Sequence, residues 1–141
     1  MEAQTTAAST GLNYKDFYKE LGQLLYAVAY SDGEVDKKEV EALQEFVLKE
    51  LASFEPASDS SGMNLAFYTQ FEFEDMQNKK APAQEVFATF LAYLKKNAPY
   101  INEHFKTEII VAVKKVAEAY EKPHKKEMEM INLLNAEIKK M

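Results

Sequence analysis

Residues 27–43 read AVAYSDGEVDKKEVEAL and residues 115–131 read KVAEAYEKPHKKEMEMI. Sliding one onto the other by 88 positions, without a gap, matches Val28 to Val116, Ala29 to Ala117, Lys37-Lys38-Glu39 to Lys125-Lys126-Glu127, and Glu41 to Glu129. Apolar character is shared at Val40/Met128 and Leu43/Ile131. Each stretch reads as the end of one helix, a break, and the start of the next. In the first copy Gly33 suits a helix C-cap, because it takes positive φ without steric cost. Asp36 suits an N-cap, and Glu39 three residues later completes a capping box. The expectation is two similar helix hairpins, one near each end of the chain. Lysine and glutamate are common here, so coincidence stands as the alternative to a duplication.

Working outward, Asn13 reads as an N-cap, and Tyr14, Phe17, Tyr18, Leu21, Leu24, Leu25 and Val28 follow at helical spacing, predicting a first helix from Tyr14 to Ser31. A second helix is expected from Lys37 to Ser53, with Val40, Leu43, Phe46, Val47 and Leu51 inward. Residues 55–62, EPASDSSG, form the clearest loop. A third helix is expected from Met63 to Asn78, although Gln70-Phe71-Glu72-Phe73-Glu74 alternates like a strand; a lone strand has no partner here. Pro82 suits the first turn of a fourth helix ending at Asn97. The fifth covers Ile101 to Glu121, with Ile109, Ile110, Val113, Val116, Ala117 and Tyr120 inward. The sixth covers Lys125 to Lys140 and uses Met128, Ile131, Leu134 and Ile138. Six helices with short connections predict an all-α, single-domain bundle over residues 13–141, with residues 1–12 a flexible N-terminal tail.

Composition narrows the chemistry. The 141 residues contain no cysteine, which removes disulfides, thiolate zinc sites, iron–sulfur clusters and cysteine nucleophiles. Net charge is −6, and all 17 basic residues are lysine, so no arginine fork is present for phosphate or guanine and nucleic acid is repelled. No secretory leader and no apolar run long enough for a membrane span are present, so the expected location is cytoplasmic, without direct membrane insertion.

The acidic connection Asp32-Gly33-Glu34-Val35-Asp36-Lys37-Lys38-Glu39 resembles the second half of a calcium EF-hand loop. The first and third ligand positions of such a loop fall on Val28 and Tyr30, which excludes a standard EF-hand. Capping accounts for Gly33, Asp36 and Glu39 and leaves Asp32 and Glu34 over. Residues 32–55 carry eight acids against three lysines, whereas residues 103–141 carry seven acids and eight lysines. Concentrated carboxylates suit hard cations such as calcium, magnesium or manganese. A solvated acidic helix face gives the same count.

At Ala29-Tyr30-Ser31-Asp32-Gly33-Glu34-Val35-Asp36-Lys37-Lys38-Glu39 the chain resembles the TerB-like family, named for tellurite-resistance proteins. Its pattern is a small residue ending one helix, Asp-Gly-Glu, an apolar residue, a capping residue, and a glutamate opening the next helix. The resemblance covers residues 24–43 specifically and residues 13–141 through the helix layout. It implies duplicated helix pairs, a divalent-cation site at acidic helix ends, and association with stress-response or membrane-linked complexes; it implies no catalytic reaction. The matching positions are Asp32, Glu34 and Glu39. The second copy departs, with Tyr120-Glu121-Lys122-Pro123-His124 at the connection. One weak site is therefore implied rather than a symmetric pair, with Glu127 corresponding to Glu39 and able to complete it if the hairpins meet.

Other signals are poorer. His104 and His124, the only histidines, lack ligand-spaced partners beyond Glu108 and Glu127. Asp59, Ser60 and Ser61 have no glycine-framed elbow or base, and loop solubility explains them. Phe67, Tyr68, Phe71, Phe73, Phe87, Phe90 and Tyr93 suit core packing, or an exposed groove for a protein partner. The sequence thus predicts a non-enzymatic domain binding a divalent cation weakly through Asp32, Glu34, Glu39 and Glu127, with no organic cofactor. A metal-independent interaction module with an aromatic face is the alternative.

Overall fold

The computed structural model describes residues 12–31, 37–54, 57–119 and 125–141. Among them the elements are α1 (Tyr14–Ala29), α2 (Lys37–Phe46), a π-helical turn (Val47–Leu51) running into the single turn α3 (Ala52–Phe54), α4 (Phe67–Lys79), α5 (Ala83–Asn97), a 3-10 turn (Ala98–Tyr100), α6 (Glu103–Glu118) and α7 (Lys125–Lys139). The expected all-α bundle is what forms, and the six expected helices are α1, α2, α4, α5, α6 and α7. The 70–74 stretch, despite its alternation, is helical.

Capping sets several of these boundaries. Asn13 accepts a hydrogen bond from the Asp16 backbone N–H (3.0 Å), and Asn102 accepts one from the Phe105 N–H (3.0 Å), so α1 and α6 open with the same device. Pro82 stands at the N-cap of α5, one place earlier than its expected first-turn position. Helix α4 ends on Lys80 in the left-handed region (φ 52°). The second helix was expected to run unbroken to Ser53; a π turn interrupts it, with Val47 and Leu51 buried and Leu48 exposed.

Helix α1 lies at the centre, packed against α4, α5, α6 and α7. Leu24 through Ala29 are buried without a break, as expected of a helix surrounded by others. Close approach to α4 depends on Gly22: a Cβ there would collide with the Thr69 carbonyl oxygen. The buried Thr69 hydroxyl donates to the Tyr18 carbonyl (3.0 Å), and Tyr26 Oη donates to the Ala81 carbonyl (2.7 Å), fastening α1 to both ends of α4.

The 88-residue echo extends to burial. Phe17/Phe105, Leu21/Ile109, Leu24/Ala112, Leu25/Val113, Val28/Val116 and Ala29/Ala117 are buried in both members, and so are Phe46/Leu134. Helices α2 and α7 begin at Lys37 and Lys125, at the same offset. The rings of the equivalents Phe17 and Phe105 meet at 4.7 Å.

One tail assignment and two inward assignments differ in the structure. Leu12, assigned to the tail, is buried in the core; residues 1–11 lie outside the described residues. Met128 is 41% exposed and Glu127 takes its inward place, in line with Met130, Leu134 and Ile138. Ile110 is also 41% exposed, beside Ile138 and Lys139 near the end of α7. Tyr120 lies outside the described residues.

The loop after α3 is built rather than merely soluble. Asp59 Oδ1 accepts from the Ser61 N–H (2.9 Å), the Ser61 hydroxyl (2.6 Å) and the Met63 N–H (3.0 Å), and Oδ2 accepts from Tyr68 Oη (2.8 Å). These donors pull the Asp59 carboxyl down to about 2.

Candidate functional site

The expected ligand set divides in two. Asp32 and Glu34, with the rest of the 32–36 connection, lie outside the described residues. Glu39 and Glu127 lie within them. Each is the third residue of its helix, α2 or α7, and each is buried, with 4% and 0% of its surface exposed. A glutamate in the first turn is favoured by the helix dipole and by capping. A carboxylate withdrawn from water needs compensating charge or hydrogen bonds, and both glutamates engage a partner. Both α2 and α7 pack on α6, so the two buried carboxylates belong to helices with a common neighbour. Among the described residues, no three His, Cys, Asp or Glu side chains are grouped to hold a metal ion. Oxygen donors from Glu39 and Glu127 fit a hard cation in kind, and a complete set needs the acids of the 32–36 connection.

His104 is exposed at the start of α6, and His124 lies outside the described residues. Of the aromatic cluster, Phe73, Phe87 and Phe90 are core, Phe67, Tyr68 and Tyr93 are half-buried, and Phe71 is exposed. Tyr68 and Phe71 meet edge to face at 6.0 Å.

A second arrangement was not foreseen. Helices α1, α4 and α5 enclose a cleft of about 360 Å3, lined chiefly by Asp16, Glu20, Gln23, Glu72, Tyr93 and Lys96. Gln23 Nε2 donates to Glu72 Oε2 (2.9 Å), holding that carboxylate in place. Glu20 Oε1 and the Tyr93 hydroxyl are buried without a hydrogen-bond partner. Burial, and then the charges of Glu72 and Asp16, push the Glu20 carboxyl up to about 7. The Tyr93 hydroxyl is also pushed up, by burial and then by Glu20 and Asp16. A sequence signal was present: Glu20 stands three residues after Phe17 and four before Leu24, an acid on the edge of the apolar stripe.

No family model, curated protein or solved structure matches this chain. No helix among the described residues is long and apolar enough to cross a membrane.

Proposed function

We propose that this chain is a non-catalytic, TerB-like helical domain that binds a divalent cation weakly at the α1–α2 connection and uses it to tune association with a protein partner in stress-related complexes. The observation that carries the reading is the burial of glutamate at the same place in two helices, Glu39 in α2 and Glu127 in α7. A buried acid needs charge or hydrogen bonds to compensate it, and both of these glutamates engage a partner. Repeating it at an equivalent position favours a role for the charge itself, and the acids Asp32 and Glu34 adjoin the first copy in sequence. Calcium, magnesium and manganese match all-oxygen donors and the absence of thiolates. Calorimetric titration of each ion into the wild type and into Asp32→Ala/Glu34→Ala tests the site. Heats confined to the wild type support it, and equal heats in both remove it.

A metal-independent interaction module is the second reading, favoured by the exposed Phe71 beside Tyr68 on α4. Partner capture that is unchanged by a chelator and lost in Phe71→Ala selects it over the first.

A further inference from the structure

The cleft between α1, α4 and α5 shares no residue with the cation site above, and it poses a separate question. Its volume, about 360 Å3, falls at the lower end of small-molecule sites. Its walls bring Asp16, Glu20 and Glu72 together with Lys19 and Lys96, an excess of one negative charge when every group is ionised. Two polar atoms in these walls, Glu20 Oε1 and Tyr93 Oη, have no hydrogen-bond partner although they are buried. Buried polar atoms are nearly always satisfied, by protein, water or ligand.

We propose that this cleft binds a small organic cation through a primary ammonium group, with Glu20 and Glu72 as carboxylate acceptors and the Tyr93 hydroxyl as a third oxygen acceptor. The alternatives fail on chemistry. No three His, Cys, Asp or Glu side chains among the described residues are grouped to hold a metal ion. An anion meets three carboxylates. An apolar ligand leaves the two orphan oxygens unsatisfied. An ammonium carries three directional donors, matching in kind the oxygen acceptors that α1, α4 and α5 bring to the cleft. Glu72 is already oriented for it by Gln23 (2.9 Å). Lys96 is exposed and Lys19 half-buried; Lys19 partly offsets the upward push on the Glu20 carboxyl, but none of the ion pairs among the described residues joins either lysine to Glu20.

Proton competition sharpens the proposal. The groups facing Glu20 are Asp16, Lys19 and Gln23 on α1, Glu72 on α4, and Tyr93 and Lys96 on α5. With its carboxyl at about 7, Glu20 holds a proton part of the time at neutral pH, and an arriving ammonium displaces it. Affinity therefore rises by roughly tenfold from pH 6 to pH 8, as the ionised fraction grows.

The test is calorimetry on the full chain with putrescine, using 1-butanol, magnesium chloride and inorganic phosphate as comparison arms. Putrescine is expected to bind, more tightly at pH 8 than at pH 6, with the other three silent at the cleft. Glu20→Gln is expected to weaken binding at pH 8 at least tenfold and to flatten the pH dependence, and Tyr93→Phe to weaken it a few-fold. Glu72→Gln provides the same loss if Glu20→Gln does not fold. Absence of putrescine binding at 10 mM and pH 8 overturns the proposal. So does unchanged affinity in the folded variant, or competition for the cleft by magnesium or phosphate. Glu39 and Glu127 lie outside the cleft, so failure of the divalent-cation reading leaves these outcomes unaffected.

Discussion

Helices α1 and α6 share a length of 16 residues, an asparagine cap and a buried register offset by 88, yet they occupy different surroundings. Helix α1 is enclosed by α4, α5, α6 and α7, whereas one side of α6 faces outward. The contrast is sharpest at equivalent positions. Gly22 lies against the Thr69 carbonyl with no room for a Cβ, while its counterpart Ile110 is exposed. Glu20 and its counterpart Glu108 both have their carboxyls pushed up, first by burial and then by a neighbouring acid, Glu72 for one and Glu50 for the other. A repeated apolar pattern thus specifies the same helix face twice. The helices packed over it decide what the remaining positions must be.

The strongest way to break this comparison is at the ring pair where the halves meet. Phe17→Ala and Phe105→Ala should each cost about 3–5 kcal/mol in urea unfolding, the range for large core truncations. The double variant should fall short of the sum by about 0.5 kcal/mol or more, because the rings touch. Strict additivity speaks against a shared core at this point. Next in size, Gly22→Ala should cost about 1–3 kcal/mol through overpacking against α4, whereas Ile110→Ala should stay within about 0.5 kcal/mol, as for other exposed positions. Equal effects at the two sites contradict the difference in cover.

A smaller effect sharpens the electrostatic side. A carboxyl raised in the folded state, from 4.5 to about 7 for Glu20, binds more protons folded than unfolded over that interval. Stability therefore falls as pH rises from about 4.5 to 7, and the penalty is complete above it. Glu20→Gln should raise the melting temperature at pH 8 and leave it nearly unchanged at pH 4. Glu108→Gln should act in the same direction. Thermal melts at both pH values check this, and a gain at pH 4 equal to that at pH 8 contradicts the assignment.

Much of the fold was legible because helical periodicity and capping are local. Asn13 and the Leu21–Leu24–Leu25–Val28 stripe carry their own instructions, whereas the expected fifth helix from Ile101 runs past the cap that Asn102 supplies. What stayed hidden depends on neighbours distant in sequence. The 41% exposure of Ile110 is set by tertiary packing rather than by its place in the apolar stripe, and the inward turn of Glu127 in place of Met128 by a rotation of α7 that apolar counting favours the other way. The π turn at Val47–Leu51 has no short sequence mark here. The acidic connection stood out by composition, whereas the α1–α4–α5 cleft combines residues from 16 to 96 and could be glimpsed only through Glu20.

The central claim, a divalent cation held at the α1–α2 connection, is tested most directly by the anomalous scattering of a manganese-soaked crystal. The account predicts a single peak within about 2.0–2.6 Å of a Glu39 carboxylate oxygen and of at least one oxygen from Asp32 or Glu34. A well-ordered connection without a peak, under manganese concentrations that saturate the protein in solution, contradicts it.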